Sequence, residues 1–357
     1  MLRRCISLVL VFIVLMAMCT TSFSFGDAKK DDNPLDETAL EEIKAVMTYV
    51  AAAKEEFDMK EVDFSNLIIG NAVRAYECQD NNVLEILKYY PIYNNKMLLG
   101  FVLTPDGNHF QFENYISGIV NESNITMDKL AFIFDRDALY AFNGQNFVKL
   151  YNLLIPVDGR DLIDYSIANT INIETCGNYE NLVIDNNEIM AAASTYYSVS
   201  VTHRTQQPYG NICWAASTAM IANTLNGTSK TAVQVAKAYY GNTNFNKTLV
   251  PAKVAQNMRD NYNLLYAYRN RVLTDSTLLK NIRNGYPVYG RLTWGGGGTH
   301  GTVICGINST SGYITIRDPL MTSGTATGYY NGSTNRYTYT TSSGSTGSYN
   351  NGICKSW

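Results

Sequence analysis

Between Tyr196 and Tyr197 the chain changes sign. From Asp27 to Tyr196 it carries 12 Lys and Arg against 28 Asp and Glu, a net of −16. From Tyr197 to Trp357 it carries 14 Lys and Arg against three Asp and no Glu, a net of +11. The overall charge of −3 conceals this division. A chain of 357 residues is long enough for two domains of ordinary size, each with its own core. Opposite potentials would draw two such domains together over a broad surface. The basic residues are scattered rather than clustered on one stripe, which argues against nucleic acid as a partner.

The first 26 residues belong to neither block. Arg3 and Arg4 precede an apolar run from Ile6 to Met18, and Ser22 and Ser24 supply the small side chains that a signal peptidase accepts. Residues 1–26 therefore read as a secretory signal, and the protein as exported, with no membrane partner once the signal is removed. The apolar run falls short of the ~20 residues that span a bilayer. Beyond the signal remain Cys78, Cys176, Cys213, Cys305 and Cys354. An odd number in an exported chain leaves at least one thiol unpaired. Bridges Cys305–Cys354 and Cys78–Cys176 are both open on spacing. No arrangement of His, Cys and carboxylates suits zinc, and no cofactor is expected.

Hydrophobic periodicity organises the rest. Leu40, Ile43, Val46, Met47 and Val50 recur at helical spacing and predict a helix over 37–57. Strands are expected at Met97–Thr104 and His109–Tyr115, flanking the turn sequence Pro105-Asp106-Gly107-Asn108, and at 129–134, 138–142 and 146–151. This acidic half reads as an α+β domain with an antiparallel sheet. In the basic half, a strand at 196–202 leads to helices at 213–225, 233–240, 251–262 and 275–284. Strands follow at 288–294, 300–307 and 312–317. The last forty residues, rich in Gly, Ser, Thr, Tyr and Asn, suit sheet edges, loops or a mobile tail. Helices first and sheet second imply two lobes with a cleft between them.

Within the stretch QQPYGNICWAAST, Cys213 stands at the mouth of a predicted helix rather than inside its apolar run. A helix N-terminus presents free N–H groups and partial positive charge, which favour thiolate over thiol. A nucleophilic thiol needs a base, and the chain has three histidines. His109 lies in the other half, and His203 is only ten residues before Cys213 in extended chain. His300, in WGGGGTHGTVICGIN, sits between a strand and glycines that allow close approach of backbone and substrate. Its ring needs an acceptor. The basic half offers Asp260 and Asp275, both on predicted helices, and Asp318, which ends the strand after that of His300 and can reach it across neighbouring antiparallel strands. An oxyanion donor is also required; Gln207 and Gln206 are the candidates, beside the backbone N–H of Cys213.

QQPYGNICWAAS resembles the active-site segment of papain-like cysteine proteases, and GGTHGTVICGI resembles that family's histidine segment. The resemblance implies Gln207 as oxyanion glutamine, Cys213 as nucleophile, His300 as base and Asp318, before Pro319, as the third member of the triad. It covers about residues 200–320. Departures are the absence of C-G-S-C around the nucleophile and Asp where Asn is commoner. The short catalytic half and the phrase NIRNGYPVYGRL are similar to the compact bacterial branch of staphopains and bacteriocin-leader peptidases. The fold implied is a two-lobe catalytic domain, a helical lobe plus an antiparallel sheet lobe, over 196–357. Similar enzymes are made as zymogens, so residues 27–195 are expected to be an inhibitory prodomain cleaved within Met190–Ser198, and the product a secreted endopeptidase acting on protein or peptide substrates. A cell-wall peptide amidase using the same thiol and a non-catalytic binding module are the competing expectations.

Overall fold

Six strands of the basic half close on themselves. In the computed structural model, β12 (Val288–Trp294) pairs with β13 (Thr299–Asn308), and β13 with β14 (Tyr313–Arg317). The ladder continues to β15 (Ala326–Asn331), β16 (Arg336–Thr340) and β17 (Thr346–Lys355), which returns to β12. Every step is antiparallel, and because β17 pairs back onto β12 the sheet closes into a barrel. Two further strands extend it: β10 (Tyr196–Ser198) on β13 and β11 (Tyr266–Arg269) on β17. The structure describes residues 35, 37–79, 82–104, 109–123, 125, 130–135, 138–152, 171, 180–295, 297–342 and 344–357. The expected signal segment and Cys176 lie outside them, as do the turn residues 105–108.

Ahead of the barrel come four helices, α4 (Cys213–Asn226), α5 (Ala232–Tyr240), α6 (Pro251–Tyr262) and α7 (Asp275–Arg283). Sequence explains their ends. Thr231 and Gln234 form a capping box for α5, Pro251 opens α6, and Gly227 closes α4 in the left-handed region with φ of 64°. On α4, Ala215, Ala216, Ala219 and Ala222 are wholly buried, and their small side chains let the helix lie close against β13. All of β13 except Thr299 is buried, because the strand is covered on both faces.

The acidic half is also α+β. Helix α1 (Glu37–Ala52) packs against β1 (Leu67–Ile69) and the long β3 (Asn82–Asn94), and β9 (Glu180–Leu182) pairs with β1. Along β3 run β2 (Val73–Gln79) and β4 (Met97–Leu103), and β5 (Gln111–Glu113) follows on β4. β6 (Ala131–Phe134), β7 (Ala138–Phe142) and β8 (Phe147–Asn152) complete the sheet. Helices α2 (Tyr115–Glu122) and α3 (Asn186–Thr195) make seven among the described residues. One pairing departs from the expected antiparallel sheet: β2 and β6 run parallel.

Residues 35–357 form one compact unit in which the halves share buried contacts. Glu113 of β5 pairs with Ala326 of β15. The Tyr49 hydroxyl bonds the Thr315 hydroxyl at 2.6 Å, Arg317 donates to the Glu56 carbonyl at 2.8 Å, and the Thr340 N–H donates to Gln111 at 2.9 Å. These cross-junction bonds are not ion pairs, so the attraction expected from the charge split is not what holds the contact locally.

Other expectations need correction. The first helix stops at Ala52 instead of 57, because the Glu56 carbonyl is taken by Arg317 and Thr325 and Phe57 is drawn into the core. The strand expected over 196–202 ends at Ser198. The expected cleavage stretch is helical up to Thr195, with an Asp185/Glu188 capping box at its start. Cys305 and Cys354 are both free thiols, so the bridge between them does not form. The tail is barrel strand. Among the described residues no helix is long and apolar enough to cross a membrane.

Candidate active site

Cys213 is the first residue of α4, and the free N–H groups of that turn have no side-chain cap. It is half-buried. One turn on, the Ser217 hydroxyl donates to the Gly301 carbonyl at 3.0 Å and fastens α4 to β13 beside His300. Position 301 is glycine because the strand on its other side crowds it: a Cβ there would run into the Tyr289 hydroxyl of β12. The helix that carries the thiol and the strand that carries the imidazole are thus joined at adjacent residues.

His300 is 1% exposed and Asp318 wholly buried, and His300 Nε2 lies 2.6 Å from Asp318 Oδ1. Because β13 and β14 are antiparallel with Val303 opposite Arg317, His300 and Asp318 fall at the same end of the pair. A carboxylate only accepts, so Nε2 carries the proton there. The other ring nitrogen, Nδ1, is buried without a hydrogen bond of standard geometry, and Cys213 is the thiol coupled to that ring. Trp294 lies nearly parallel to the imidazole, with centroids 5.8 Å apart and planes at 17°.

The three groups shift one another. Burial pushes the Cys213 thiol up, but the His300 hydrogen bond and charge, with the N–H groups of Gly301 and Trp214, bring it below its ordinary value. Burial also opposes charge on His300, yet the carboxylate of Asp318 and then the Cys213 thiolate raise the imidazole to about 10. Asp318 is raised by burial and lowered further by His300, the Leu320 N–H and the Tyr339 hydroxyl, ending below the usual carboxylate value. The shifts run toward thiolate and imidazolium, the charge state a nucleophile with an adjacent proton donor requires.

Residues 194–334, less than half of the chain, match a family model described as papain-like cysteine protease AvrRpt2. That match makes the enzyme a cysteine-type peptidase. No curated protein matches the chain.

In this peptidase the two candidate glutamines have different surroundings. Gln206 is wholly buried, and its amide donates to the carbonyls of Tyr209 and Gly210, closing the turn before Cys213. Gln207 is half-buried and donates from Nε2 to the Leu320 carbonyl at 2.6 Å. An amide nitrogen carries two hydrogens, so one of them is not used by Leu320. His203 Nε2 donates to the Asp318 carbonyl at 2.9 Å. His109 pairs with Glu42 at 3.4 Å and faces Tyr329. Asp275 accepts from Tyr337. Among the described residues no group of three or more His, Cys, Asp and Glu could hold a metal ion.

Two contacts escaped the sequence reading. The Tyr339 hydroxyl donates to Asp318 Oδ2 at 2.9 Å. Tyr115, from the acidic half, places its hydroxyl beside Gln207 and accepts from Thr322. The YTYT alternation of 337–340 was a legible signal for a strand carrying Tyr339, whereas nothing local to Tyr115 marks it.

Proposed function

We propose that this peptidase is a secreted endopeptidase of the compact papain-like branch, made as a zymogen. Residues 1–26 are its signal, 27–195 its inhibitory prodomain and 196–357 its two-lobed catalytic domain. The observation that carries the reading is His300, held at 2.6 Å by buried Asp318 while its second nitrogen is left for the thiol at the α4 N-terminus.

The reaction follows from that arrangement. The Cys213 thiolate attacks the carbonyl carbon of the scissile peptide bond. The negative charge that develops on the carbonyl oxygen is met by the Cys213 N–H and the second amide hydrogen of Gln207. His300, as imidazolium, gives its proton to the leaving amine, which departs and leaves a thioester on Cys213. Neutral His300 then takes a proton from water, whose oxygen attacks the thioester. The acid is released, and thiolate and imidazolium are restored. Asp318 holds the ring and its tautomer throughout.

Inhibition by the N-terminal half has a contact to rest on. Tyr115, at the start of α2, sits against Gln207 and the 318–322 turn, so the prodomain occupies space next to the proposed oxyanion site. The helical state of 186–195 means that cleavage there requires α3 to open first. Replacing Cys213 by Ala in the full-length chain should reduce casein hydrolysis and self-cleavage by at least about 10³-fold. Activity persisting in Cys213→Ala would overturn the proposal, and cell-wall lysis without casein hydrolysis in the unaltered protein would move the reading to an amidase.

A further inference from the structure

We infer that Tyr339, from the barrel's closing hairpin, is a positioning residue for the peptidase reaction: its hydroxyl fixes the rotation of the Asp318 carboxylate that orients His300. The inference rests on the proposed roles of Cys213, His300 and Asp318. Three donors hold the Asp318 carboxylate, and His203 and the Met321 N–H hold its backbone carbonyl at 2.9 and 3.1 Å. His300 Nε2 and the Leu320 N–H donate to Oδ1 at 2.6 and 2.9 Å, and the Tyr339 hydroxyl donates to Oδ2 at 2.9 Å. Of these, the Tyr339 bond alone reaches Oδ2.

The geometry gives that bond a specific effect. A carboxylate held at one oxygen can still turn about its Cβ–Cγ bond, and terminal sp³–sp² torsions are broad. Such a turn would carry Oδ1 away from Nε2 and release the imidazole. A donor on the second oxygen removes that freedom. Asp318 and Tyr339 are both wholly buried, so no water replaces the bond if the hydroxyl is lost. Burial and the Asp318 charge keep the Tyr339 hydroxyl protonated well above the ordinary tyrosine range, so it remains a donor wherever the carboxylate is charged. A phenylalanine would fill the same core space without the hydroxyl. Hence the function of the hydroxyl is separable from that of the ring.

Tyr349 supplies the control. It is equally buried, lies on the adjacent strand β17, and spends its hydroxyl on Thr302 at 2.8 Å instead of on Asp318. Tyr339→Phe and Tyr349→Phe each delete one buried hydroxyl from the same barrel, so a purely structural loss should affect both alike.

The test uses full-length protein carrying Tyr339→Phe, Tyr349→Phe or Cys213→Ala, beside the unaltered chain. With a peptide substrate, Tyr339→Phe should lower kcat roughly tenfold with KM within about twofold. It should also move the acid limb of kcat/KM to higher pH, because only the charged carboxylate loses a partner. In the unprocessed chain, the downfield proton resonance of His300 Nε2–H should disappear at a higher pH in Tyr339→Phe than in the unaltered protein; this signal requires no turnover. Tyr349→Phe should leave kcat, the limb and the resonance in place. An unchanged limb and resonance in Tyr339→Phe, or equal changes in Tyr349→Phe, would overturn the inference. Cys213→Ala separates the two levels: if it retains activity the triad reading fails, whereas an inactive Cys213→Ala with an unperturbed Tyr339→Phe rejects only the positioning role.

Discussion

Three thiols in the basic half share one chemistry and meet three environments. Burial pushes Cys305 and Cys354 up to about 12, while His300 and the N–H groups of Gly301 and Trp214 bring Cys213 below its ordinary value although burial opposes its charge too. Since thiolate is the reacting form, iodoacetamide at pH 6 should modify Cys213 at least about 10²-fold faster than Cys305 or Cys354, read by peptide mass spectrometry. His300→Ala should slow the Cys213 reaction itself, since Cys305 and Cys354 are buried and stay slow in either protein. A Cys213 rate unchanged by His300→Ala would mean that the helix end alone holds the anion. An ordinary thiol near 8.5 is only about 3% ionised at pH 7, so the edge position of Cys213 was informative in the sequence itself. The scarcity of histidine and the glycine run pointed to His300, and the end of the neighbouring strand pointed to Asp318. Tyr339 was not legible, because its contact with Asp318 exists only once β14 and β16 are brought together across β15.

Elements were legible where hydrophobic period was strong. The expected bounds of α6, β7 and β12 agree with the structure to the residue, since Pro251 opens the first and alternating or continuous apolar runs define the others. Composition left strand, loop and mobile tail open at the C-terminus, and the structure selects strand. In TGSYNNGICK the glycines and polar residues suggest loop, yet β17 lies between β12 and β16 and closes the barrel. Its glycines serve close packing: a Cβ on Gly352 would meet the Tyr289 carbonyl at 2.7 Å, and one on Gly347 would meet Leu292 at 2.5 Å. A strand with partners on both sides cannot be removed without exposing two ladders. Deleting residues 346–357 should therefore abolish the cooperative thermal transition of the protein, followed by near-ultraviolet circular dichroism. A truncated protein with an intact transition would place the tail outside the fold's stability. Helix α3 was missed for the opposite reason: its small residues were read as a cleavage stretch and not as a helix, although Asp185 and Glu188 already spelled a capping box.

At the scale of the whole molecule, the charge division and the junction tell different stories. The two halves differ by 27 charges, −16 against +11, yet the bonds that join them are between hydroxyls, amides, carbonyls and the buried Arg317 guanidinium. Long-range attraction can bring the halves together, while the bound state is set by buried contacts that salt does not screen. One acid is caught inside this junction. Glu113 is 1% exposed, accepts from the N–H groups of Tyr115 and Ile116 at Oε2, and leaves Oε1 without a partner. Burial outweighs those bonds and raises its carboxyl from 4.5 to about 7. Because the folded value lies above the unfolded one, the folded state is favoured fully below about pH 4.5 and loses that advantage as pH rises through about 7. The shift corresponds to about 3 kcal/mol between the two ends. Glu113→Gln keeps an acceptor for α2 and removes the titration. Against the unaltered full-length chain it should be nearly equal in thermal stability at pH 4.5 and more stable at pH 8, with the same difference at low and high ionic strength. A difference that is independent of pH would show that Glu113 is not the group sensing protons. One that collapses in salt would show that its environment is ionic rather than the dry junction from which Tyr115 reaches Gln207.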